Sequence, residues 1–566
     1  MELQLDEVRR LTGPNLLWDE PGAIIDVFIH GIDKTKVVRC WQLWLEKLQE
    51  RFGWQQASTY RIHSEGANMA LSAPMDALYT ACDLAELAWD CCVAELMQQP
   101  LPNWQLRLDE LCKELADEIN PPLLALMKEA KTQGVTCISD DDEVSLGMGR
   151  SVEVWPVRAL PDLASIDWPK YRDVPRAFIT GTNGKSTSVR LASHIAQAAG
   201  ICAGVTSTDF IRVGDVIIDT GDYSGPGGAR MLLRDTRTDL AFLEVARGGI
   251  LRRGIPVESV DAALITNVAS DHLGQYGINT VEELAEAKFV VAKGLGDRGI
   301  LVLNADNDLV IAQASKIKNK LCWFSCDESN VLIQQQIQMG GRAVFIRAKH
   351  IVYHANGLFE TIIAVDDIAM ALGGMAAHNV ENALGVVGLC KSLKLPSNAI
   401  AQGLKTFGSN AKDNPGRGNI YEVDSYRVVV DFAHNEHSMR AVVNMVRQLS
   451  SQRLIVMFSH AGDRSDEEIK SLTDAVYQLN ADSYIIAEIE NYLRGRQLGE
   501  VPQLATRFLQ QQGVNLENIN TVSSPFEGAK LATNMAKNGD IVLLFTLDDR
   551  QQVHEYLSAL GSSHTQ

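Results

Sequence analysis

The sequence has no run of about 20 apolar residues, the length that a membrane-spanning helix needs. Its first residues, "MELQLDEVRRLTGPNLLW", are charged and lack the apolar core of a secretory signal. The ten cysteines show neither disulfide nor zinc-ligand spacing, which indicates reduced thiols. These absences predict a cytoplasmic protein with no membrane partner.

Positively charged residues are also fewer than negatively charged ones. The chain has 52 lysines and arginines against 71 aspartates and glutamates, so its net charge is -19. A general nucleic-acid partner is therefore excluded, because phosphate backbones require a basic face. The excess of carboxylates predicts a solvated acidic surface, although it would also suit cationic substrates. A hydrophobic content of 46% and a length of 566 residues are typical of a globular protein with about three or four domains.

The hydrophobic patterning predicts a multidomain α/β protein. Residues 1–150 mix strand-like and helical segments, which predicts an N-terminal α+β domain, and the proline-rich residues 151–175 predict a linker. In residues 176–410 short apolar runs alternate with helical stretches, which is typical of a parallel sheet covered by helices. β-Hairpins are expected near 320–370. Residues 411–566 repeat the alternation with four more apolar strands and predict a smaller, Rossmann-like domain.

One strand–turn–helix in the central domain has the pattern of a phosphate site. The strand "AFIT" leads into "GTNGKS", but Ile179 stands where the common phosphate loop has glycine. Glycines let backbone N–H groups approach phosphate oxygens, and the helix N-terminus adds partial positive charge. An ordinary glycine turn is the alternative, but a Lys-Ser-Thr run at the helix start favours nucleotide binding. The expected nucleotide-binding residues are Gly181, Thr182, Asn183, Gly184, Lys185, Ser186 and Thr187.

Two further polar residues lie at or after predicted strand ends. Glu244 ends "LAFLE", and His272 follows "AALITN" within "TNVASDHLG". Ligands in open α/β sheets bind at the carboxyl ends of strands, so both side chains are candidate partners of a metal ion or phosphate. A solvated glutamate and a structural histidine are the alternatives. Lys288 lies in the helical pattern "ELAEAKFVV", which by itself indicates a surface lysine.

Taken together, "GTNGKS", "EVARGG", "TNVASDHL" and "EAK" resemble the ATP-dependent Mur ligase superfamily, in which the shorter loop is normal. Within it, "GDYSGPGGAR", "DFAHN", "GDRSDEEI" and "RGRQLGE" resemble the ligase module of cyanophycin synthetases. This resemblance covers roughly residues 177–550. The segments "RRLTGPNLLW" and "GVTCISDDDEVSLGMGR" resemble the N-terminal domain of that family and the start of its ATP-grasp domain.

The resemblance is incomplete in one respect. After "GVTCISDDDEVSLGMGR" the ATP-grasp domain of a cyanophycin synthetase should continue, but here the chain passes through the proline-rich segment into the phosphate loop. That domain attaches aspartate to the polymer backbone in the family. The sequence therefore predicts one ligase activity rather than two, with a separate ATP-grasp enzyme as a partner.

The resemblance implies a reaction in which ATP converts a carboxylate into an acyl phosphate and an amine displaces the phosphate. The implied catalytic residues are Lys185, Glu244, His272 and Lys288. Lys185 would contact the β- and γ-phosphates, while Ser186, Glu244 and His272 would hold Mg²⁺. Lys288 matches a lysine that is carbamylated in several relatives, where it helps to hold a second Mg²⁺. An uncarbamylated Lys288 is the alternative.

The resemblance also implies contacts from other segments. Asn382, Arg417 and Asp431 would reach the ATP from the hinge and the C-terminal domain. The implied substrate-binding residues are Asp222, Ser224, Arg230, His434, Asp463, Arg464, Arg494 and Arg496. The family further implies a homodimer or homotetramer.

Three functions remain open from the sequence. The first is joining an amino acid such as arginine to an aspartate or peptide carboxylate, as in cyanophycin-type polymer synthesis. The second is a Mur-type ligation to an unrelated small molecule or cell-wall peptide. The third is a non-catalytic scaffold, which the retention of Lys185, Ser186, Glu244 and His272 disfavours.

Overall fold

The computed structural model describes residues 2–449 and 451–562. The chain divides into two compact units. The first comprises residues 1–345, 353–360 and 384–400, and the second comprises residues 346–352, 361–383 and 401–566. All ten cysteines are free thiols, as their spacing predicts. Among the described residues, no helix is long and apolar enough to cross a membrane.

The first unit begins with an antiparallel sheet covered by helices. Its strands lie in the order β1-β2-β4-β3. Trp41, Trp44 and Trp89 of the covering helices are buried in one apolar core with alternate residues of the central strands. The elements are β1 Glu2–Leu11, β2 Gly22–His30, α1 Lys34–Phe52, β3 Ser58–Ile62, β4 Gly66–Ser72, α2 Leu78–Leu96 and α3 Trp104–Glu118.

A small second layer follows, in which α4 (Pro121–Gln133) packs on the antiparallel sheet of β5 (Cys137–Ser139), β6 (Glu143–Leu146) and β7 (Glu153–Pro156). The proline-rich segment expected as a linker contributes β7 to this sheet. It also packs Trp155, Trp168 and Tyr171 against α4 and β6. The prolines therefore lie in a segment that is held by apolar contacts along its length.

The large central sheet has eleven strands in the order β11-β10-β9-β12-β8-β13-β14-β15-β16-β17-β18. Its strands are β8 Arg176–Thr180, β9 Ala203–Thr206, β10 Phe210–Val213, β11 Val216–Thr220, β12 Leu240–Glu244, β13 Val260–Ile265, β14 Leu295–Asn304, β15 Lys320–Ser325, β16 Arg342–Arg347, β17 His350–Ala355 and β18 Leu358–Ala364. The run from β9 to β16 is parallel. β8 pairs with β12 on one side and β13 on the other, so the carboxyl ends of these three strands share one edge.

Helices connect the strands of this sheet. They are α5 Lys185–Ala198, α6 Pro226–Leu233, α7 Arg247–Arg253, α8 Val281–Phe289, α9 Asp308–Ala314 and α10 Val331–Gln338, followed by α11 Ala377–Ser392 and α12 Ser397–Thr406. β8 and β12 are buried along their whole length because helices cover both faces. This arrangement confirms the predicted α/β class.

The second unit has a six-stranded sheet in the order β19-β20-β24-β21-β22-β23. All but the antiparallel edge strand β19 run parallel. Separate apolar cores lie on its two faces. The elements are β19 Arg417–Val423, β20 Tyr426–Asp431, α13 Glu436–Val446, β21 Leu454–Phe458, α14 Asp466–Tyr477, β22 Ser483–Ala487, α15 Glu500–Gln511, β23 Ile519–Val522, α16 Pro525–Met535, β24 Ile541–Phe545 and α17 Arg550–Ser562.

Short 3₁₀ helices complete the described structure. They span Gly149–Ser151, Leu163–Ser165, Trp168–Lys170, Val290–Gly294, Val365–Asp367, Ala369–Ala371, Glu490–Tyr492 and Leu516–Asn518.

Candidate active site

The phosphate loop joins the end of β8 to the start of α5. Gly181 has φ +147° and Gly184 has φ +85°, conformations that favour glycine. A Cβ atom on Gly181 would lie 1.9 Å from Thr266 Oγ1, so only glycine fits there. α5 begins at Lys185, and no side chain hydrogen-bonds at its cap, so the helix N-terminus adds partial positive charge beside the loop.

The segment after β13 holds this loop in shape. The backbone N–H of Thr182 donates to Asn267 O over 2.9 Å, and that of Asn183 donates to Asn267 Oδ1 over 3.0 Å. Thr266 Oγ1 donates to Asn183 O over 2.6 Å, and Thr182 Oγ1 donates to Ala269 O over 3.1 Å. The loop is therefore pre-formed by its neighbouring strand. Sequence reasoning did not assign Thr266 and Asn267, although their position directly after a buried strand was a usable signal.

Ser186 and Glu244 meet below the loop. Ser186 Oγ lies 3.3 Å from Glu244 Oε1, and the Glu244 side chain is buried. Thr208, which sequence reasoning missed, bridges the pair. Its Oγ1 lies 3.2 Å from Ser186 Oγ, and its backbone N–H donates to Glu244 Oε2 over 3.4 Å. A buried carboxylate beside two hydroxyls is the oxygen-rich donor set that Mg²⁺ prefers.

Two lysines approach the same loop. Lys185 Nζ donates to Thr182 O over 2.9 Å, and Lys288 Nζ donates to Gly181 O over 2.8 Å. Lys288 is buried on α8, so the surface position that its helical pattern indicates is wrong. Burial, with a smaller contribution from the nearby charge of Lys185, lowers the pKa of Lys288 well below its ordinary value. Burial therefore favours the neutral form of this amine.

His272 follows the segment that holds the loop. It has a left-handed backbone with φ +50°, and its carbonyl accepts a hydrogen bond from Arg247 Nη1. Arg247 Nη2 also donates to Gln275 Oε1 over 2.6 Å, so Arg247 ties two points of the turn together. His272 Nε2 lies 3.8 Å from Asp271 Oδ1, and its side chain is 39% exposed. A metal-binding role for His272 stays a prediction.

The glycine-rich segment before α6 contains the predicted acceptor contacts. Ser224 donates to Asp222 Oδ1 through its backbone N–H over 3.1 Å and through its hydroxyl over 2.6 Å. The Ser224 carbonyl accepts from the N–H of Ala246, two residues after β12. Both residues are thus held beside the Glu244 strand end. Arg230 instead lies on α6, with Nε 3.7 Å from Asp140 Oδ2.

In the second unit, Arg417 and Asp431 lie at paired strand ends. The register of β19 and β20 places them opposite each other, and Arg417 lies over the Phe432 ring at 4.4 Å. Burial raises the pKa of Asp431 to about 6, although the Arg417 charge opposes the shift. His434 Nδ1 lies 3.1 Å from Phe432 O. Asn382 lies on α11, with its Nδ2 3.4 Å from Asn379 Oδ1.

The predicted amine-binding residues form one cluster in the second unit. Arg494 pairs with Asp463. Arg496 donates to Arg464 O and to Asp466 Oδ1, each over 2.7 Å, which joins the loop after β21 to the loop after β22. The structure therefore brings together the segments "GDRSDEEI" and "RGRQLGE".

Comparison with known proteins agrees with this geometry. The profile of the Mur ligase middle domain matches residues 179–390, and that of the Mur ligase glutamate ligase domain matches residues 416–546. These matches together span well over half of the chain. The chain belongs to the Mur ligase superfamily of enzymes.

Within that superfamily, the chain is similar to cyanophycin synthetases. It is 36% identical over 339 residues to the cyanophycin synthetase of Synechocystis sp., which covers 60% of this chain and 38% of that protein. For the cyanophycin synthetase of Geminocystis herdmanii, the identity is 32% over 415 residues, covering 71% of this chain and 46% of that protein. The chain thus spans less than half the length of these relatives.

Two solved structures show the same fold. Escherichia coli FolC in complex with DHPP and ADP aligns with a TM-score of 0.51 at 18% identity, covering 68% of this chain and 89% of that one. A bifunctional folylpolyglutamate synthase/dihydrofolate synthase with Mn, AMPPNP and L-glutamate bound also aligns with a TM-score of 0.51, at 20% identity, covering 68% of this chain and 89% of that one.

Proposed function

We propose that the chain is an ATP-dependent amide ligase that forms ADP, phosphate and an amide through an acyl phosphate. The observation that carries this proposal is the edge formed by β8, β12 and β13. There a glycine phosphate loop, Lys185, Ser186 and the buried Glu244 lie within one hydrogen-bonded group. Membership of the Mur ligase superfamily supports it.

The residues present fit a magnesium ion. Ser186 and Glu244 offer a hydroxyl and a buried carboxylate 3.3 Å apart, and we infer that His272 completes this group. When bound, Mg²⁺ supplies charge stabilisation at the phosphates. The loop N–H groups and the first turn of α5 would orient the triphosphate, and Lys185 Nζ would move from Thr182 O to the phosphate oxygens. Asn382, Arg417 and Asp431 are the proposed further ATP contacts.

Lys288 is proposed to be carbamylated. The reaction with CO₂ requires a neutral amine, and burial of Lys288 lowers its pKa in the direction that favours this form. The N–C bond forms as the amine attacks CO₂, and one proton leaves to solvent. The resulting carbamate would be an anion beside Gly181, where it can help to hold a second Mg²⁺ near the acyl phosphate.

The proposed substrates are an amino acid such as arginine and an aspartate or peptide carboxylate. The similarity to cyanophycin synthetases supports this choice. In the second unit, carboxylates of Asp463 and Asp466 already bind guanidinium groups of Arg494 and Arg496. The same carboxylates can recognise an incoming guanidinium or ammonium group. Arg464 and His434 are proposed to assist there, with Asp222, Ser224 and Arg230 near the acceptor.

A second candidate keeps the reaction and changes the acceptor to a small molecule or cell-wall peptide. The UDP-N-acetylmuramoyl-L-alanyl-D-glutamate–2,6-diaminopimelate ligase of Clostridium botulinum is 24% identical over 378 residues. This match covers 65% of this chain and 71% of that enzyme. The larger matched share of that relative favours a ligase with one activity. A separate ATP-grasp enzyme, a homodimer or homotetramer and a cytoplasmic location complete the proposal.

Phosphate release from ATP and Mg²⁺ tests the reaction and names the substrates. The chain is supplied with arginine, lysine or other amines, each with β-aspartyl peptides, with a muramyl peptide or without an acceptor. We expect release only when both an amine and a carboxylate acceptor are present, and mass spectrometry should detect the new amide.

Lys185→Ala is the inactive control, and Lys170→Ala is the matched control because Lys170 lies on the surface beside Glu153. Stimulation by a muramyl peptide alone would select the second candidate. ATP binding without stimulated release for any pair would contradict the ligase proposal.

A further inference from the structure

Besides the candidate active site, the first unit contains a pocket away from the phosphate loop. It has a volume of about 390 Å³ and opens between the N-terminal sheet and the turn that follows His272. The sheet contributes Asp6, Glu7, Asp26, His63 and Glu65, and the turn contributes residues 274–277 and Asn279. The proposed ligase reaction uses none of these residues.

The charge of the pocket wall is negative. Asp26 pairs with Arg9 inside the sheet, and Glu7 Oε2 lies 3.4 Å from Arg9 Nε. Asp6 and Glu65 form no ion pair with the described residues, and both are exposed at the pocket. Three cations lie close to the wall: Arg9 and Arg61 are paired with Asp26 and Glu283, and Lys34 Nζ donates to the His63 carbonyl over 2.8 Å. Asp6 and Glu65 are therefore the carboxylates of the wall that remain available to a cation.

Two polar side chains of the wall have unsatisfied hydrogen-bonding groups. His63 is only 6% exposed, and neither of its ring nitrogens has a hydrogen-bond partner within the described part of the chain. The same is true of the buried Asn279 Nδ2. Burial and the nearby Arg61 lower the pKa of His63 to about 4, so its ring is neutral, with one donor and one acceptor nitrogen. Buried polar groups without partners are costly, and a bound ligand is one way to satisfy them.

The wall already accommodates a guanidinium group. Arg9 pairs with Asp26 and lies 4.8 Å from the centre of the Tyr276 ring. This arrangement of carboxylate and aromatic ring is the chemistry that recognises organic cations.

The pocket wall is also linked to the candidate active site. The turn closes on itself through Gly274 N–H, which donates to Ile278 O over 2.8 Å. Arg247 binds the carbonyl of His272 at the start of this turn and Gln275 within it. A ligand bound against this turn would therefore contact the same segment that supports His272.

We propose that this pocket binds a small organic cation carrying a guanidinium or ammonium group, held by Asp6 and Glu65 and bonded to His63 between the sheet and the 274–279 turn. The site is independent of the proposed amine-binding cluster in the second unit, and it does not depend on the ligase reaction.

Calorimetric titration of the full chain with agmatine, in the absence of ATP, tests the proposal. We expect one site per chain in this unit. We also expect the double variant Asp6→Asn/Glu65→Gln to raise the Kd about tenfold, because both exposed charges that attract the cation are removed. Hydrogen exchange should slow in residues 273–280 when agmatine is present.

Matched variants separate the alternatives. Glu46→Gln, which removes an exposed charge from α1, should leave the Kd within about twofold. The titration is repeated in Asp463→Asn, which removes the proposed amine site: binding that persists there and is weakened by Asp6→Asn/Glu65→Gln supports the pocket, whereas loss of all binding would assign agmatine to the amine site and overturn the inference. A blocked arginine peptide that binds as tightly as agmatine would identify the guanidinium group of a peptide side chain as the ligand. Binding of agmatine but not of the peptide would identify a free metabolite as the ligand. An unchanged Kd in Asp6→Asn/Glu65→Gln would refute the pocket.

Discussion

Lys288 gives the sharpest test of how the fold sets the chemistry of the site. Its side chain is buried beside the phosphate loop, and burial lowers its pKa well below the ordinary value of 10.5. Between the lowered folded pKa and 10.5, the unfolded chain binds one proton that the folded chain does not. The free energy of unfolding should therefore rise with pH by about 1.4 kcal/mol per unit in this interval.

Lys288→Met keeps the apolar stem and removes the titrating group, so this contribution should vanish. As the pH rises from the lowered folded pKa toward 10.5, the variant should therefore lose its stability advantage over the wild type. The Met side chain also avoids burying an amine, which makes equal or greater stability at pH 7.5 the expected result. Ligase activity should fall at least tenfold, since the proposed carbamate cannot form.

Hydrogen exchange of the β8 and α8 segments measures this local stability. Experiments in CO₂-free buffer at several pH values compare wild type and variant, so that the intrinsic pH dependence of exchange cancels. Lys316→Met is the control, because Lys316 is exposed beside Glu286. Parallel pH dependence in wild type and Lys288→Met would show that the folded amine is protonated, and the argument would fail. A carbamate signal from ¹³C-bicarbonate should appear in the wild type alone.

Three more predictions concern single side chains. Gly181→Ala should destabilise the loop by about 1–3 kcal/mol and weaken ATP binding, because its Cβ would meet Thr266 Oγ1 at 1.9 Å; denaturation and nucleotide titration measure this. Thr208→Ala should raise the Mg²⁺ concentration needed for half-maximal phosphate release about tenfold, because Ser186 and Glu244 lose a positioning partner. The raised pKa of Asp431 means that the folded chain binds the extra proton between about pH 4 and 6. The contribution of Asp431 to the free energy of unfolding should therefore fall with rising pH in this interval by about 1.4 kcal/mol per pH unit. Denaturation experiments on Asp431→Asn should show that this contribution to the slope is lost.

Conservative variants check these three predictions. Gly296→Ala should have little effect, since open space surrounds that position. Thr208→Ser keeps the hydroxyl and should retain activity, and equal losses in Thr208→Ser and Thr208→Ala would contradict the positioning role. For Asp431, an unchanged slope in Asp431→Asn would assign the pH dependence to another group.

The local part of the site could be predicted from the sequence. The strand–turn–helix from Ala177 to Ile195 is encoded within 19 residues, because an apolar run, two glycines and a Lys-Ser-Thr helix start each act on their immediate neighbours. The same reasoning placed Glu244 at a strand end, where β12 indeed finishes. The motifs also identified the superfamily, and the profile matches confirm it.

The order of the strands could not be obtained in this way. Buried parallel strands are all short apolar runs, and nothing in such a run names its neighbour in the sheet. Only the tertiary structure places β12 and β13 on either side of β8. This strand order brings Thr208, which follows β9, and Thr266 and Asn267, which follow β13, to the phosphate loop and its first helical residues.

Burial in particular was decided by tertiary packing. The sequence of α8 alone places Lys288 on a surface, but the folded chain encloses it and bonds its amine to Gly181 O. The pocket around His63 has the same origin, because strands of the N-terminal sheet and a turn some 210 residues further along the chain form its two walls. The sequence by itself determined the motifs and their chemistry, since those depend on neighbouring residues. The three-dimensional fold alone decided which groups lose contact with water, and desolvation is what sets their charge and reactivity.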